Sequence, residues 1–391
     1  MSMTSSFSIT PTSDILNWGV IGCGDVVEGK SGPAFSRIPS CRLVAVMRRN
    51  KALAESFAHR HNVASFYTDA REILRDLDVE AIYLATPPGT HKDLALLCAA
   101  AGKPVLVEKP MARSAAECRA MLSEFQHSDL PLFVAYYRRH LPKFELVRDI
   151  LQSKNKLGPI TEIRAFCARP SSGSDCEEWR VDASVAGGGL FLDLGSHMLD
   201  LLDWWFGPLQ DVKGLAASTK GKGSSYDSAL DEVETHVEDQ VRMLFRTGSG
   251  AVGVGSWNFS SHCSEDYIEI IGADGGVKFS VFDNGPVFLK RRGCGEEDEI
   301  EVIDNFGPDF SPHVHLPLIA AVTEDLQDWK RAREVARQGR SVMKEISEWR
   351  CRSTGASALR TSEVMDTVLA AYYGGSRDDA FWERPQSWSK S

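Results

Sequence analysis

Short apolar runs alternate with amphipathic stretches over the first third of the chain. Runs at 15–21, 43–47, 81–85, 104–107 and 131–135 are bounded by Gly, Pro or Thr, the pattern of strands buried on both faces. Between them, 51–61, 69–77, 91–101 and 114–127 repeat apolar residues at helical spacing. Asp69-x-x-Glu72 reads as a capping signal, and Gly102 falls where a helix should end. Strands alternating with helices predict an α/β Rossmann domain, a doubly wound parallel sheet, over residues 14–140.

The texture changes after about residue 158. Segments 160–168, 209–216, 235–246, 250–258, 266–272 and 276–282 alternate apolar and polar positions and are separated by Gly- and Ser-rich turns. They predict an α+β domain over 141–391 with a large open, mostly antiparallel sheet. Residues 190–206 interrupt it as a helix, 218–230 reads as a mobile loop, and 1–13 as a flexible arm. The charge-dense segment 322–350 is expected to be an exposed surface helix. A C-terminal segment is expected to pack back on the first domain. The few helices after residue 158 cannot cover both faces of a large sheet, so that sheet is expected to pair with another copy in a homodimer or homotetramer.

Composition narrows the class. With 44 basic and 54 acidic side chains in 391 residues the net charge is −10, which argues against a nucleic-acid or anionic-membrane binder. The nine cysteines are scattered without a C-x-x-C pair, as expected of free thiols serving as small hydrophobes in a reducing compartment. No apolar run approaches a membrane span, and the Ser/Thr-rich N-terminus lacks a signal core. The expectation is a cytoplasmic protein.

Gly22-Cys23-Gly24-Asp25-Val26 follows the first predicted strand. Two glycines spaced by one residue let a backbone turn tightly and approach a pyrophosphate at the following helix N-terminus. The third fingerprint position holds Val27, neither Gly nor Ala. NAD-binding domains then place a carboxylate on the ribose 2′-hydroxyl at the end of the second strand. Here no Asp or Glu occurs between Gly29 and Ala54, and the strand ends in Arg48 and Arg49. A guanidinium grips a 2′-phosphate bidentately, so NADP(H) is the preferred cofactor, with NAD(H) possible; the competing reading is two solvated surface arginines.

Thr86, Pro87 and His91 follow the next run, and then comes Gly102-Lys103-Pro104-Val105, ending in Glu108-Lys109-Pro110. A second cluster holds Trp179-Arg180, Gly187-Gly188-Gly189, Asp193, Gly195, His197 and Asp200. Order and spacing resemble the glucose–fructose oxidoreductase and inositol dehydrogenase (Gfo/Idh/MocA) family from residue 15 to about 370. Carbonyl reduction by hydride needs a proton donor at the developing alkoxide, and alcohol oxidation needs a base. Lys109 follows an apolar strand, where partial burial and a cationic neighbourhood would depress its pKa; Asp193 and His197, four apart, share a helical face.

The resemblance implies that Lys109 and His197 transfer protons and that Asp193 positions substrate. It also implies that Thr86, Pro87, His91 and Glu108 join Gly22, Gly24, Asp25, Val26 and the arginines around the cofactor, and that Trp179 and Arg180 join the substrate side. Arg138, after Tyr136-Tyr137, is a further candidate for a polar or anionic substrate. His313 and His315 have no third ligand in view, so they are read as a solvated loop and no metal is expected. The expected function is hydride transfer between NADP(H) and a sugar, anhydro-sugar or polyol. Alternatives are a dihydrodiol dehydrogenase, an NAD-dependent glycosidase, or a non-catalytic NADP-binding sugar sensor.

Overall fold

The computed structural model describes residues 15–153, 156–170, 178–219, 237–291, 299–336, 343, 348–375 and 377–382. Six short strands form the first sheet: β1 (Leu16–Ile21), β2 (Cys41–Met47), β3 (Ser65–Tyr67), β4 (Ala81–Leu84), β5 (Val105–Val107) and β6 (Leu132–Val134). All pairings are parallel, in the order β3-β2-β1-β4-β5-β6. The order reverses between β1 and β4, the crevice where doubly wound sheets bind ligands.

One face is covered by α1 (Gly32–Arg37) and α2 (Lys51–Arg60), through Ala34, Phe35 and Phe57; α3 (Ala70–Arg75), α4 (His91–Ala100) and α5 (Ala115–His127) cover the other. Asp69 caps α3, accepting from the Arg71 amide at 2.7 Å, and Gly102 takes φ +69° past the end of α4, as the sequence predicts.

After α6 (Pro142–Gln152) the chain enters β7 (Ile160–Pro170), and a short α7 (Ala183–Ala186) and a π-turn at Phe191–Gly195 lead into α8 (Ser196–Phe206). The remaining strands are β8 (Gln210–Ala217), β9 (Gln240–Arg246), β10 (Val252–Ser261), β11 (Glu265–Gly272), β12 (Gly275–Phe279), β13 (Val287–Arg291) and β14 (Glu299–Ile303). They make an eight-stranded sheet, β14-β13-β12-β11-β7-β10-β9-β8, antiparallel except between β7 and β10. Its inner face buries Ile163, Trp257, Phe245 and Ile268 against α6 and α8. Its outer face carries exposed Leu215, Leu244, Val254, Phe288, Ile300 and Val302. The expected loop at 218–230 lies almost wholly outside the described residues.

One expectation is overturned. Over its described first part, 322–335, the segment is not an exposed surface helix: α9 (Leu316–Val335) buries Leu318, Ile319, Val322, Leu326 and Trp329 against the first sheet's layers, while 337–342 and 344–347 lie outside the described residues. Its charged residues lie on the opposite side of an amphipathic helix. Trp18 of β1 donates to Thr323 of α9 at 3.3 Å. α10 (Gly355–Leu369) then packs on α5, α8 and β8, and Phe133 of β6 pairs with Thr354 just before it. Residues late in the chain therefore complete the first sheet. Among the described residues, no helix is long and apolar enough to cross a membrane.

Candidate active site

The glycine loop leaves β1 with Gly22 at φ +97°, its N–H bonded to the Met47 carbonyl at 2.9 Å. A Cβ on Gly22 would lie 2.7 Å from the Ala85 carbonyl oxygen, whereas one on Gly24 would meet nothing within 4 Å. The first glycine is thus required by the fold, and the second leaves open space for a ligand to approach the backbone. Asp25 is exposed and Val26 half-buried as the chain turns into the following helix. Arg48 reaches back from the end of β2, and its Nη1 donates to the Cys23 carbonyl at 3.2 Å. Arg49 is exposed. These residues fit a dinucleotide: a bare backbone turn, a helix start, and a guanidinium on the loop.

Thr86 and Pro87 line the exit of β4, on the same crevice. His91 is fully buried; Nε2 lies 2.7 Å from the Thr86 carbonyl, and Nδ1 lies 3.2 Å from the Pro110 and Met111 carbonyls. It pins the β4 and β5 exit loops together, and both ring nitrogens are occupied by backbone. Its ring therefore acts through the positions of these two loops, which border the crevice.

Glu108 is buried and accepts from Tyr83 Oη at 2.6 Å, from His315 Nε2 at 3.0 Å and from the Lys109 amide at 3.1 Å. Burial alone would raise its pKa, but His315, Tyr83 and the Lys109 charge outweigh it and hold the carboxyl down at about 2. Lys109 Nζ donates to Asp193 Oδ1 and, at 3.2 Å, to the Asp193 carbonyl. Its immediate partner is a carboxylate, not the cationic neighbourhood expected, because the π-turn at 191–195 swings Asp193 onto it. Arg180, stacked 4.4 Å over Trp179, approaches Asp193 Oδ2 at 3.5 Å. Burial works against the Asp193 anion, but Lys109 and then Arg180 lower its pKa.

His197, at the start of α8, is buried with ring contacts to Tyr136, Tyr137 and Phe282. Burial, with Arg138, Lys109 and His315 nearby, pushes its pKa well down, so the ring is neutral. Its Nδ1 is buried without a hydrogen-bond partner among the described residues. A buried polar atom of this kind is what a bound hydroxyl satisfies. Arg138 is buried and donates to the Val281 carbonyl at 3.1 Å and to Tyr137 Oη at 2.7 Å, with its guanidinium 4.8 Å over Phe282. Its neighbour Arg139 is structural, forking onto Asp200 and touching Asp203.

Sequence reasoning misplaced one group here. The stretch holding His313 and His315 is not a solvated loop at His315, whose ring is buried on Glu108 and stacks 4.6 Å from Tyr137. The signal was available: His315 immediately precedes the apolar periodicity of α9, where a helix start meets the core. Tyr83 and Tyr137 were likewise passed over, being indistinguishable from core aromatics in a linear reading. Among the described residues no cluster of three or more metal-ligating side chains occurs.

Residues 16–136 match the oxidoreductase family with an NAD-binding Rossmann fold, and residues 144–278 match the GFO/IDH/MocA C-terminal domain. The chain belongs to the GFO/IDH/MocA family. It is an oxidoreductase with an NAD-binding Rossmann fold, as the resemblance implied. Oxidoreductase P35 of Formosa agariphila is 33% identical over 308 residues, covering 78% of this chain and 88% of that protein. The trans-1,2-dihydrobenzene-1,2-diol dehydrogenase of Mus musculus is 33% identical over 252 residues, 63% of this chain and 69% of that one. Levoglucosan dehydrogenase in complex with NADH and levoglucosan superposes with TM-score 0.73 at 20% identity, covering 90% of this chain and 96% of that one. That likeness establishes the GFO/IDH/MocA fold on both sheets.

Proposed function

We propose that this family member transfers hydride between NADP(H) and the carbonyl or hydroxyl carbon of a sugar, anhydro-sugar or polyol. The observation that carries the reading is the Lys109–Asp193 ion pair at the exit of β5 beside His197, whose Nδ1 has no hydrogen-bond partner among the described residues. Residues 14–140 hold the dinucleotide, with Gly22, Gly24 and the helix start at Asp25–Val26 on the phosphates and Arg48, assisted by Arg49, on the 2′-phosphate. Thr86, Pro87 and Glu108 shape the crevice wall. Residues 141–391 supply the substrate side and the surface for self-association.

A nicotinamide cofactor held there would supply the hydride chemistry. For reduction, the Lys109 ammonium delivers the proton to the developing alkoxide, and Asp193 compensates the charge that moves. His197 Nδ1 holds the same hydroxyl, and Trp179, Arg180 and Arg138 bound the substrate space. For oxidation the hydroxyl proton passes to the Lys109 amine. The dihydrodiol dehydrogenase relative makes a cyclic diol the second substrate class to try. A panel of sugars, anhydro-sugars, polyols and trans-dihydrodiols, followed by nicotinamide absorbance with each cofactor, tests the reading. Cofactor binding without turnover of any member would favour the non-catalytic sensor instead.

The exposed outer face of the eight-stranded sheet, with Leu244 on β9, Val254 on β10 and Phe288 on β13, is proposed as the contact between two copies. The small-molecule substrate, with neither nucleic acid nor membrane as partner, agrees with the net charge of −10, and a cytoplasmic setting is part of the same proposal.

A further inference from the structure

His315 stands outside the Lys109, Asp193 and His197 set, yet it is 2% exposed and lies between Glu108 and the ring of Tyr137. Tyr137 in turn contacts His197, with ring centroids 5.3 Å apart. The two histidines thus flank one tyrosine. Glu108 is an ionised carboxylate and can only accept, so the 3.0 Å contact fixes the proton on His315 Nε2. Nδ1 is then the ring's other hydrogen-bonding atom. That atom is buried with no hydrogen-bond partner among the described residues, as is His197 Nδ1. A buried polar atom of this kind is costly to leave unpaired, and a ligand group that meets it removes that cost.

We propose that His315 Nδ1 hydrogen-bonds a polar group of the bound reaction pair, either a substrate hydroxyl or the carboxamide of the nicotinamide. This makes His315 a ligand-contacting residue brought to the site by the start of α9, and it rests on the function proposed above. Glu108 sets its tautomer, in the way that a carboxylate orients a histidine elsewhere.

Two substitutions separate this role from simple anchoring. The amide of His315→Gln reaches the Nε2 position and keeps the donor to Glu108 but leaves nothing at Nδ1. The amide of His315→Asn occupies the Nδ1 position and gives up the contact with Glu108. Kd for NADPH and NADH is read by tryptophan fluorescence, KM by turnover of the panel member best used by the wild type, and folding by thermal melting. The Gln variant is expected to keep its Tm and lose roughly ten-fold in ligand binding, whereas the Asn variant recovers to within about three-fold of wild type. A loss in Kd assigns the contact to the carboxamide, and a loss confined to KM assigns it to a substrate hydroxyl. Wild-type Kd and KM in the Gln variant, with only the Asn variant impaired, would overturn the inference. A wild type that binds cofactor but turns over nothing defeats the proposed function instead, and the Kd comparison alone then decides His315: unchanged Kd in the Gln variant overturns the inference.

Discussion

Replacing Arg48 by alanine removes two interactions that act on the cofactors differently. One is the bond from Nη1 to the Cys23 carbonyl at 3.2 Å, which steadies the glycine loop whichever dinucleotide is bound. A neutral acceptor of this kind is worth about 0.5–1.5 kcal/mol, so both affinities should fall by roughly two- to ten-fold. The other is the proposed guanidinium–phosphate pair, which only NADP(H) could make and which would be worth about 1.5–3 kcal/mol, a further roughly ten- to hundred-fold. The quantity to read is therefore the ratio of Kd for NADPH to Kd for NADH, in which the loop term cancels. Titration by tryptophan fluorescence, on wild type and variant at one ionic strength, gives all four constants. Arg48→Asp should push the ratio further by adding repulsion to the phosphate. Equal wild-type affinities for the two cofactors, or a variant that weakens both by the same factor, would refute the assignment and leave Arg48 as a loop brace.

Lys109→Met should lower turnover by roughly 10²–10⁴-fold while cofactor Kd stays within a few-fold, since the proton donor is lost and the glycine loop is untouched; retention of half the wild-type rate rules out the role. Gly24→Val should leave Tm nearly unchanged and weaken both cofactors, because the added side chain enters space open beyond 4 Å, whereas Gly22→Ala should cost about 1–3 kcal/mol of stability from its φ of +97° and the close Ala85 carbonyl; equal melting of the two variants contradicts this division. Wild type should run above 43.1 kDa at micromolar concentration, and Leu244→Asp with Val254→Asp should reduce it to that mass with little change in Tm; a monomeric wild type removes the sheet-face contact. Glu108 is held near pKa 2 against an ordinary 4.5, so the stability it contributes is present above about pH 5 and disappears as pH falls toward 2. The melting gap between wild type and Glu108→Gln, on the order of 3 kcal/mol at pH 7, should therefore close in acid, and a gap that widens there gives the wrong sign.

The parallel strands were legible because residues such as Val20, Val46, Ile82 and Leu106 are buried from both sides, so their strands are apolar without alternation. The strands β7 to β12 were legible for the opposite reason, one face wet and one dry. β13 and β14 were missed: each is only five residues long, and in β14 the alternating Ile300 and Val302 face outward and are exposed. The helix α9 was misread because its buried residues, Leu318, Val322, Leu326 and Trp329, are diluted by the charges between them. Lys109, Asp193 and His197 were found through motif order, which survives folding. His315 was not, because its significance depends on a carboxylate 207 positions earlier in the chain. His91 shows the converse: a motif residue whose ring is held by three backbone carbonyls, a set of partners that motif order does not reveal.

The return of the late helices onto the first sheet has a consequence for how this enzyme is made and taken apart. The surface formed by Trp18, Val20 and Phe35 is sealed by Leu318, Ile319 and Val322, residues that leave the ribosome some 300 positions after the strand they cover. Until then the nascent nucleotide-binding half presents a raw apolar wall, a natural place for a chaperone to hold it. A fragment cut near residue 140 should be sticky and poorly soluble, and a chimera that exchanges the first half with a relative must carry that relative's counterpart of 316–369 along with it.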